Sequence, residues 1–202
     1  LCAACTSGTG TTNPAAEPDD PNPDKPPAEE DECPRLPGDS DRDRFVVVSY
    51  PVDENSRPAS KHRVITLAKD GKLGAAVSEF ELGAPTSGEI AFTPDGAIGV
   101  AVTDDGGLGV FELDGTGTAR VVHDNLKSDS FWASRVFVDA PGKTLYVINS
   151  QWREHGGGIS AFAIGCDGTL TFEAEIVSAK LPRAVEWLDE KRILVAAVDL
   201  GD

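Results

Sequence analysis

The chain has 202 residues and a formal net charge of −16, and this charge repels a phosphate backbone, which argues against nucleic-acid binding. No apolar run approaches the about 18 residues that a membrane-spanning helix needs. The first 44 residues hold 8 of the 14 prolines and none of the aromatic side chains. They cannot build a core, so the sequence predicts one folded domain behind a tail.

The first five residues, Leu1-Cys2-Ala3-Ala4-Cys5, place a cysteine after two small residues and before a long polar stretch. This pattern resembles the lipobox of bacterial lipoproteins, although Cys2 stands where that motif prefers leucine. The resemblance implies that residues 1–5 end a signal peptide. Cys5 would then anchor the protein to a membrane through a lipid, outside the cytoplasm, at the bacterial cell envelope or in the periplasm. A redox Cys-x-x-Cys pair and a terminus without a role are the alternatives.

Residues 6–44 consist mainly of Thr, Ser, Gly, Pro, Asp and Glu. Such a segment buries too little surface to offset the entropy of ordering, and its like charges extend it. The sequence therefore predicts a disordered, acidic, proline-rich linker. It is either a spacer that holds the domain away from the membrane or a tail without a special role.

From Phe45 onward, short β-branched and aromatic runs are separated by Gly and Asp-Gly turns, which is typical of strands. No stretch of ten or more residues has a helical period, so residues 45–202 are predicted to be all β. In chain order the predicted strands are Phe45–Tyr50, Arg63–Ala68, Val77–Leu82, Glu89–Thr93, Ile98–Thr103, Leu108–Leu113, Ala119–Val122, Ser134–Val138, Leu145–Asn149, Gly158–Ile164, Leu170–Val177, Ala184–Leu188 and Ile193–Val198.

The predicted strands recur as a unit. Glu89–Thr103 aligns with Arg135–Asn149 at an offset of 46 residues, and Arg183–Ala197 aligns with Arg135–Asn149 at an offset of 48. Between these segments, strand pairs recur around turns at Asp70-Gly71, Asp114-Gly115 and Asp167-Gly168. Four antiparallel strands in about 45 to 50 residues are the size of one β-propeller blade. A β-sandwich gives no reason for this repeat, and a parallel β-helix repeats faster.

Counting blades predicts a partial propeller of about three blades after the linker. With strands a to d lettered from the axis outward, Glu89–Val122 and Ser134–Val177 are complete blades, Phe45–Leu82 supplies b, c and d, and Arg183–Asp202 supplies a and b. Because four to eight blades close a ring, we expect the sequence to be a fragment whose missing first-blade strand lies in an absent C-terminal half. The alternative is that two or more copies assemble into one ring.

Three segments, Thr93–Gly96, Pro141–Asn149 and Asp167–Leu170, resemble the repeats of lactonase-type and YVTN-type seven-bladed β-propellers. The resemblance covers about residues 45–202. It implies a funnel, lined by the innermost strands, in which family members act on sugar or cyclic lactones. A Pro-Arg-His cluster opens such a strand in the lactonase type, and here Pro182-Arg183 is followed by Ala184.

The missing imidazole removes the usual group for proton transfer or water activation. His62, His123 and His155 do not replace it by motif, and each is interpreted as a solvated surface residue.

The repeat alignment places Glu89, Arg135 and Arg183 at the start of strand a in three consecutive blades. Residues there usually face the mouth of the central channel. Two guanidiniums and one carboxylate predict a site that grips a small anionic molecule through bidentate contacts. The alternative is an Arg-Glu-Arg pairing that locks neighbouring blades together and binds nothing.

The long turn Asn149–Gly158 departs from the repeat and carries Trp152, Arg153 and His155 beside three glycines. Such insertions project from one face of a propeller, where binding loops lie. Because Trp and Arg are frequent at contact hot spots, these three residues are candidates for binding. Packing against the neighbouring blade is the alternative for Trp152, as it is for Phe131 and Trp132.

Cys33 and Cys166 remain once the lipobox pair is set aside. Because an exported protein meets an oxidising compartment, these two are predicted to form a disulfide. No Cys/His cluster has ligand spacing, and the Asp-Gly turns are hairpin chemistry, so we expect no metal and no cofactor.

Two classes of function stay open. The first is a lipid-anchored propeller that binds an unknown protein partner or a small anionic ligand without chemistry. The second is a lactonase-like hydrolase of the sugar-lactone type, with its site in the central channel. Because Ala184 replaces the imidazole, the binding module is the preferred interpretation.

Overall fold

The computed structural model describes residues 44–50, 52, 55, 59–127, 132–149, 158–177, 182–189 and 192–197. The chain divides into two units, Leu1–Glu32 and Cys33–Asp202, and every described residue belongs to the second. The predicted signal-peptide end and the linker lie outside the described residues, except that Arg44 already starts the first strand. No helix among the described residues could cross a membrane.

The described residues form thirteen strands and no helix, so the predicted all-β class is confirmed. The strands are β1 (Arg44–Ser49), β2 (Lys61–Leu67), β3 (Leu73–Glu81), β4 (Thr86–Phe92), β5 (Ile98–Thr103), β6 (Leu108–Leu113), β7 (Ala119–Leu126), β8 (Ala133–Val138), β9 (Thr144–Asn149), β10 (Gly158–Ile164), β11 (Leu170–Val177), β12 (Pro182–Asp189) and β13 (Arg192–Ala197).

The strands assemble into consecutive antiparallel sheets, as the repeat predicts. Blade 1 is β1-β2-β3, blade 2 is β4-β5-β6-β7, blade 3 is β8-β9-β10-β11, and blade 4 is β12-β13. Strand β4 contacts β8, and β3 contacts β7, so the inner and outer strands of neighbouring blades lie side by side. Blades 2 and 3 therefore have the predicted four strands, while blades 1 and 4 have three and two among the described residues.

Several strands extend beyond the bounds that the residue pattern predicts, and β3 and β7 extend furthest. Strand β3 starts at Leu73 instead of Val77, and β7 continues to Leu126 instead of ending at Val122. The added residues lack β-branched side chains, but Leu73 pairs with Leu67 and Leu126 pairs with Leu108. Pairing with a neighbouring strand, which propensity does not report, sets these ends.

The hairpin turns share one backbone geometry. The amide of Gly71 donates to the carbonyl of Ala68, and the same bond joins Gly117 to Asp114 and Gly168 to Gly165. These three glycines have φ between +81° and +82°, which favours glycine. In the turn between β6 and β7 the residue with positive φ is therefore Gly117. It lies two residues after Gly115, the glycine of the predicted Asp114-Gly115 turn.

Hydrophobic clusters fill the spaces between blades. The first joint, between blades 1 and 2, consists of Val64, Phe80, Leu82, Ala101, Phe111 and Leu113. The second joint, between blades 2 and 3, consists of Ile98, Val100, Val102, Leu108, Val110, Ala133, Val136, Leu145, Val147 and Phe162. Fully burying each Val, Leu or Phe side chain contributes about 1.5–3 kcal/mol. Each sheet is thus screened from water by the next.

Polar contacts join the same blades near the outer strands. Ser78 Oγ donates to the carbonyl of Gly117 at 2.7 Å, from blade 1 to blade 2. One joint further along, Arg120 Nη2 donates to the carbonyl of Asp167 at 3.5 Å. Each turn between strands c and d therefore docks on the outer strand of the preceding blade.

Two of the three histidines are not solvated surface residues, which corrects the interpretation made from the sequence. The His62 side chain is fully buried within β2, and His123 is partly buried in β7. His62 alternates along β2 with Lys61 and Arg63, which form ion pairs with β3, and the lack of a motif could not reveal this position. His155 lies outside the described residues.

Candidate functional site

The inner strands of blades 2 and 3 bring two of the predicted site residues together. Glu89 on β4 and Arg135 on β8 form an ion pair between neighbouring blades, with Arg135 Nε 3.9 Å from Glu89 Oε2. Their side chains are 46% and 56% exposed, respectively. At this distance and exposure the pair contributes little stability, so Arg135 can exchange the carboxylate for another anion.

The level of these residues in their strands differs from the prediction. Glu89 is the fourth residue of β4, which starts at Thr86, so it does not open its strand. Arg135 pairs with Ile148, and a register shift between Ala133 and Arg135 precedes it. Two residues of β8 thus stand opposite one residue of β9, which is the pattern of a β-bulge.

Arg183 lies in β12, as predicted, but the sheet register shifts beside it. Ala184 pairs with Ala196, which corresponds in its strand to Ile148, so Ala184 is level with Arg135. The offset of 48 residues therefore misses by one residue at Arg183, because the β12–β13 ladder has a second irregularity, between Trp187 and Asp189, that the β8–β9 ladder lacks. The side chain of Arg183 lies outside the described residues, and its part in a three-residue site stays a prediction.

The predicted binding loop is described only at its two ends. Trp152, Arg153 and His155 lie outside the described residues. At the base of the loop, Asn149 Nδ2 donates to Ser160 Oγ at 3.0 Å, and both residues are buried. Asn149 Oδ1 is buried and accepts no hydrogen bond from the described part of the chain.

A polar network at the end of β5 was missed by the sequence reasoning. Asp105 accepts hydrogen bonds from Thr103 Oγ1 at 2.7 Å and Asn125 Nδ2 at 3.0 Å, and Lys127 Nζ lies 2.6 Å from its carboxylate. Burial alone would raise the pKa of Asp105, but the hydrogen bonds from these groups and the charge of Lys127 lower it to about 2. The polar residues that end β5 and β7 were a signal for this network.

Trp132 covers the turn that carries this network. A side chain added at Gly106 would meet the indole ring of Trp132 at 2.5 Å, and the amide of Ala133 donates to the carbonyl of Gly106 at 2.8 Å. The packing interpretation of Trp132 is thus supported by its contact with blade 2, and this contact fixes the start of β8 two residues before Arg135.

The remaining predictions concern cysteines and metals. Cys166, in the β10–β11 turn, is disulfide-bonded. Its expected partner Cys33 and the expected lipid-bearing Cys5 lie outside the described residues, so that pairing and the anchor stay predictions. In the part of the chain that the structure describes, no group of three or more His, Cys, Asp or Glu side chains could hold a metal ion.

No protein-family model and no curated protein matches the chain. Solved structures do. A "putative 6-phosphogluconolactonase" from Bacteroides uniformis is 21% identical with a TM-score of 0.57, over 70% of this chain and 42% of that chain. A periplasmic gluconolactonase from Pseudomonas aeruginosa is 13% identical with a TM-score of 0.56, over 78% and 51%. A protein from Lactobacillus plantarum is 21% identical with a TM-score of 0.54, over 77% and 48%.

These likenesses decide the architecture. The chain has the fold of a lactonase-type β-propeller. The predicted recognition of this fold is confirmed, and the sheets of blades 1 to 4 are its consecutive blades. The chain spans about half the length of the matched structures, and at this level of identity the likeness concerns the fold alone.

Proposed function

We propose that the inner strands of this propeller bind a small carboxylated or phosphorylated sugar derivative, with Arg135 as the residue that grips the anion. The observation that carries the proposal is the half-exposed Arg135 guanidinium on β8, held by Glu89 through a single contact of 3.9 Å. A guanidinium has five N–H donors in a planar fork that matches carboxylate and phosphate oxygens. Its position on an innermost strand directs that fork to the side where propellers bind small ligands.

The surrounding charge supports selectivity for a small ligand over a large polyanion. The chain carries a formal net charge of −16, which repels extended polyanions, whereas one half-exposed arginine attracts one anionic group locally. Glu89 beside Arg135 can accept hydrogen bonds from the hydroxyl groups of a sugar. A ligand with one anionic group and several hydroxyls therefore fits both side chains.

Binding of 6-phosphogluconate and gluconate to the 202-residue chain, measured by calorimetry, tests this proposal. Arg135→Gln is expected to weaken binding by at least about tenfold, because a charge-assisted hydrogen bond contributes about 1.5–3 kcal/mol. Arg120→Gln is the matched control, since Arg120 is 60% exposed and pairs with Glu112 on the outer strands. We expect it to change the affinity less than about twofold. Equal losses in the two variants, or no binding of either probe, would contradict the proposal.

Hydrolysis of a sugar lactone is the second candidate function. It is favoured by the names of two structural neighbours, a "6-phosphogluconolactonase" and a gluconolactonase. Against it stands Ala184, where the lactonase-type cluster carries histidine. Adding gluconolactone and following acid release at constant pH distinguishes the two functions. Release above the uncatalysed rate that falls in Arg135→Gln supports hydrolysis, and binding without release supports a binding protein.

We also propose that Cys5 carries a lipid and that the protein is anchored at the cell envelope. The support is the lipobox-like order of residues 1–5 and the periplasmic location that the Pseudomonas neighbour's description states for that protein. In bacterial cells that express the whole gene, Cys5→Ser is expected to move the protein from the membrane fraction to the soluble fraction. Cys2→Ser is the control and stays with the membrane. A membrane location that survives Cys5→Ser would refute the anchor.

A further inference from the structure

One core position differs in chemical kind between the blades. His62, Leu108 and Ile159 each lie six residues before the first residue of the equivalent turns at Ala68, Asp114 and Gly165. All three side chains are fully buried. Leucine and isoleucine bury no polar atom, whereas an imidazole brings two nitrogens that need partners. His62 is thus a polar side chain at a position that is apolar in the other two blades. Such an exception to core packing is expected where a residue has a function.

The imidazole of His62 lies in the first joint with one nitrogen satisfied. Its Nδ1 is 3.0 Å from Oγ of Ser49, which stands opposite it in the β1–β2 ladder. The ring stacks on Phe80 with 4.9 Å between centroids, and Phe80 packs on Phe111 of blade 2 at 4.6 Å. Nε2 is buried and has no hydrogen-bond partner in the described residues. A protonated imidazole carries N–H on both nitrogens, so the charged ring would have a buried donor at Nε2 without an acceptor.

The charged residues of blade 1 lie on the other face of its sheet. Lys61 and Arg63 flank His62 on β2 and pair with Glu81 and Glu79 on β3. These four residues alternate along their strands with His62 and Phe80, so they point away from blade 2. Strand β1 contributes Ser49 to the His62 side. Among the described residues of blade 1, which leave out most of the β1–β2 loop, no carboxylate therefore pairs with a protonated His62.

Blade 2 contributes no carboxylate to the first joint itself, and the carboxylate of Asp124 on β7 lies beside Gly83 and accepts from the amide of Asn125. Strands β5 and β6 of this blade contribute the apolar side chains of the first joint. Asp105, at the end of β5, is already paired with Lys127, which follows β7. His123 on β7 is a histidine of blade 2 whose Nε2 is buried and has no hydrogen-bond partner in the described residues.

Lowering the pH is therefore expected to destabilise the first joint in its closed form. Burial lowers the pKa of His62 below its usual 6.5, whereas an unfolded or opened chain protonates its imidazole at about 6.5. The neutral ring contributes its full stability above that value. As the pH falls below about 6.5, the open form binds the proton first, and stability is lost until the pH passes the lower pKa of the closed form.

We propose that the first joint is an acid-sensitive switch: protonation of the His62 imidazole separates blade 1 from blade 2, while the second joint stays closed. The second joint has Leu108 at the corresponding position, which cannot take up a proton. Opening exposes Phe80 and Phe111 to water and frees the β2–β3 hairpin. The proton comes from the solvent, so lowering the pH is the only input that the switch needs.

Amide hydrogen exchange on the 202-residue chain at pH 7 and pH 5 tests the switch, with protection factors corrected for the intrinsic pH dependence of exchange. In the wild type we expect protection in β2 and β3 to fall at least about tenfold at pH 5, since each pKa unit corresponds to a factor of ten. Protection in β9 and β10 is expected to change less than about twofold. His62→Leu, which copies Leu108, abolishes the selective loss. An acid response that persists in His62→Leu, or equal losses in both joints, overturns the proposal.

Two further experiments locate the proton. His123→Leu is the matched control, and the wild-type response is expected to persist in it; its disappearance there would assign the switch to His123 and refute the proposal. The Cε1 chemical shift of His62 needs no variant and is expected to titrate below pH 6.5, with the same midpoint as the opening of β2 and β3. Two separate midpoints would contradict a switch at His62.

Discussion

Phe111→Ala is expected to lower the free energy of unfolding by about 3–5 kcal/mol, the usual cost of deleting a buried phenyl ring. Phe111 is fully buried on β6 and contacts Phe80 of blade 1 at 4.6 Å and Phe92 of its own blade at 5.8 Å. Its ring occupies the space above Gly99, where a Cβ would lie only 2.3 Å away. Neighbouring side chains cannot fill such a cavity without moving whole strands, so the loss lies near the upper end of that range.

Urea unfolding of the 202-residue chain measures this loss. Phe172→Ala is the matched control, because Phe172 has the same side chain, lies on the outer strand β11 and is 50% exposed. We expect the control to cost about 1 kcal/mol or less. A loss for Phe111→Ala no greater than that for Phe172→Ala would show that the first joint does not hold the blades together.

The strands and blades were predictable because each blade repeats the same pattern of strand residues and turn glycines. The offset of 46 residues that aligns Glu89 with Arg135 also aligns the ladders that follow, and the glycines of the turns stand where a left-handed residue is required. In a radial stack, equivalent residues of neighbouring inner strands lie side by side. The contact between Glu89 and Arg135 was therefore accessible from the repeat alone.

His62 and Arg183 show where sequence reasoning stops. A histidine inside a polar-flanked strand, Lys61-His62-Arg63, reads as a surface residue, and only the register with Ser49 and Phe80 shows that it faces blade 2. At Arg183, the level is shifted by one residue because the ladder has an irregularity further along the strand, between Trp187 and Asp189. Because strand periodicity is two, a shift of one residue changes the face on which a side chain lies, and no composition signal reports it.

The Asp105 network illustrates a different limit. Thr103, Asp105 and Asn125 are 22 residues apart at most, yet they meet because β6 and β7 return the chain to the end of β5. Each residue alone is typical of a turn or a strand end. Only the assembled four-stranded sheet shows that these three residues and Lys127 interact, where β5 and β7 of blade 2 end.

Gly106→Ala is expected to lower the free energy of unfolding by about 2–4 kcal/mol, through two separable effects. Gly106 has φ of +79°, and an alanine in this left-handed region costs about 1 kcal/mol. The new Cβ would also lie 2.5 Å from the Trp132 ring, so the indole must move or the turn must distort. Because Ala133 donates to the Gly106 carbonyl, this displacement shifts the start of β8.

Gly96→Ala separates the two effects, because Gly96 has φ of +73° and nothing within 4 Å of its added Cβ. It is expected to cost only the conformational part, about 1 kcal/mol. The near-ultraviolet circular dichroism of the tryptophans should change in Gly106→Ala and not in Gly96→Ala. Since Trp132 directly precedes β8, which holds Arg135, Gly106→Ala should also weaken binding of the anionic sugar probes, whereas Gly96→Ala should leave it unchanged. Equal stability losses in the two variants would mean that Trp132 moves freely and does not position β8.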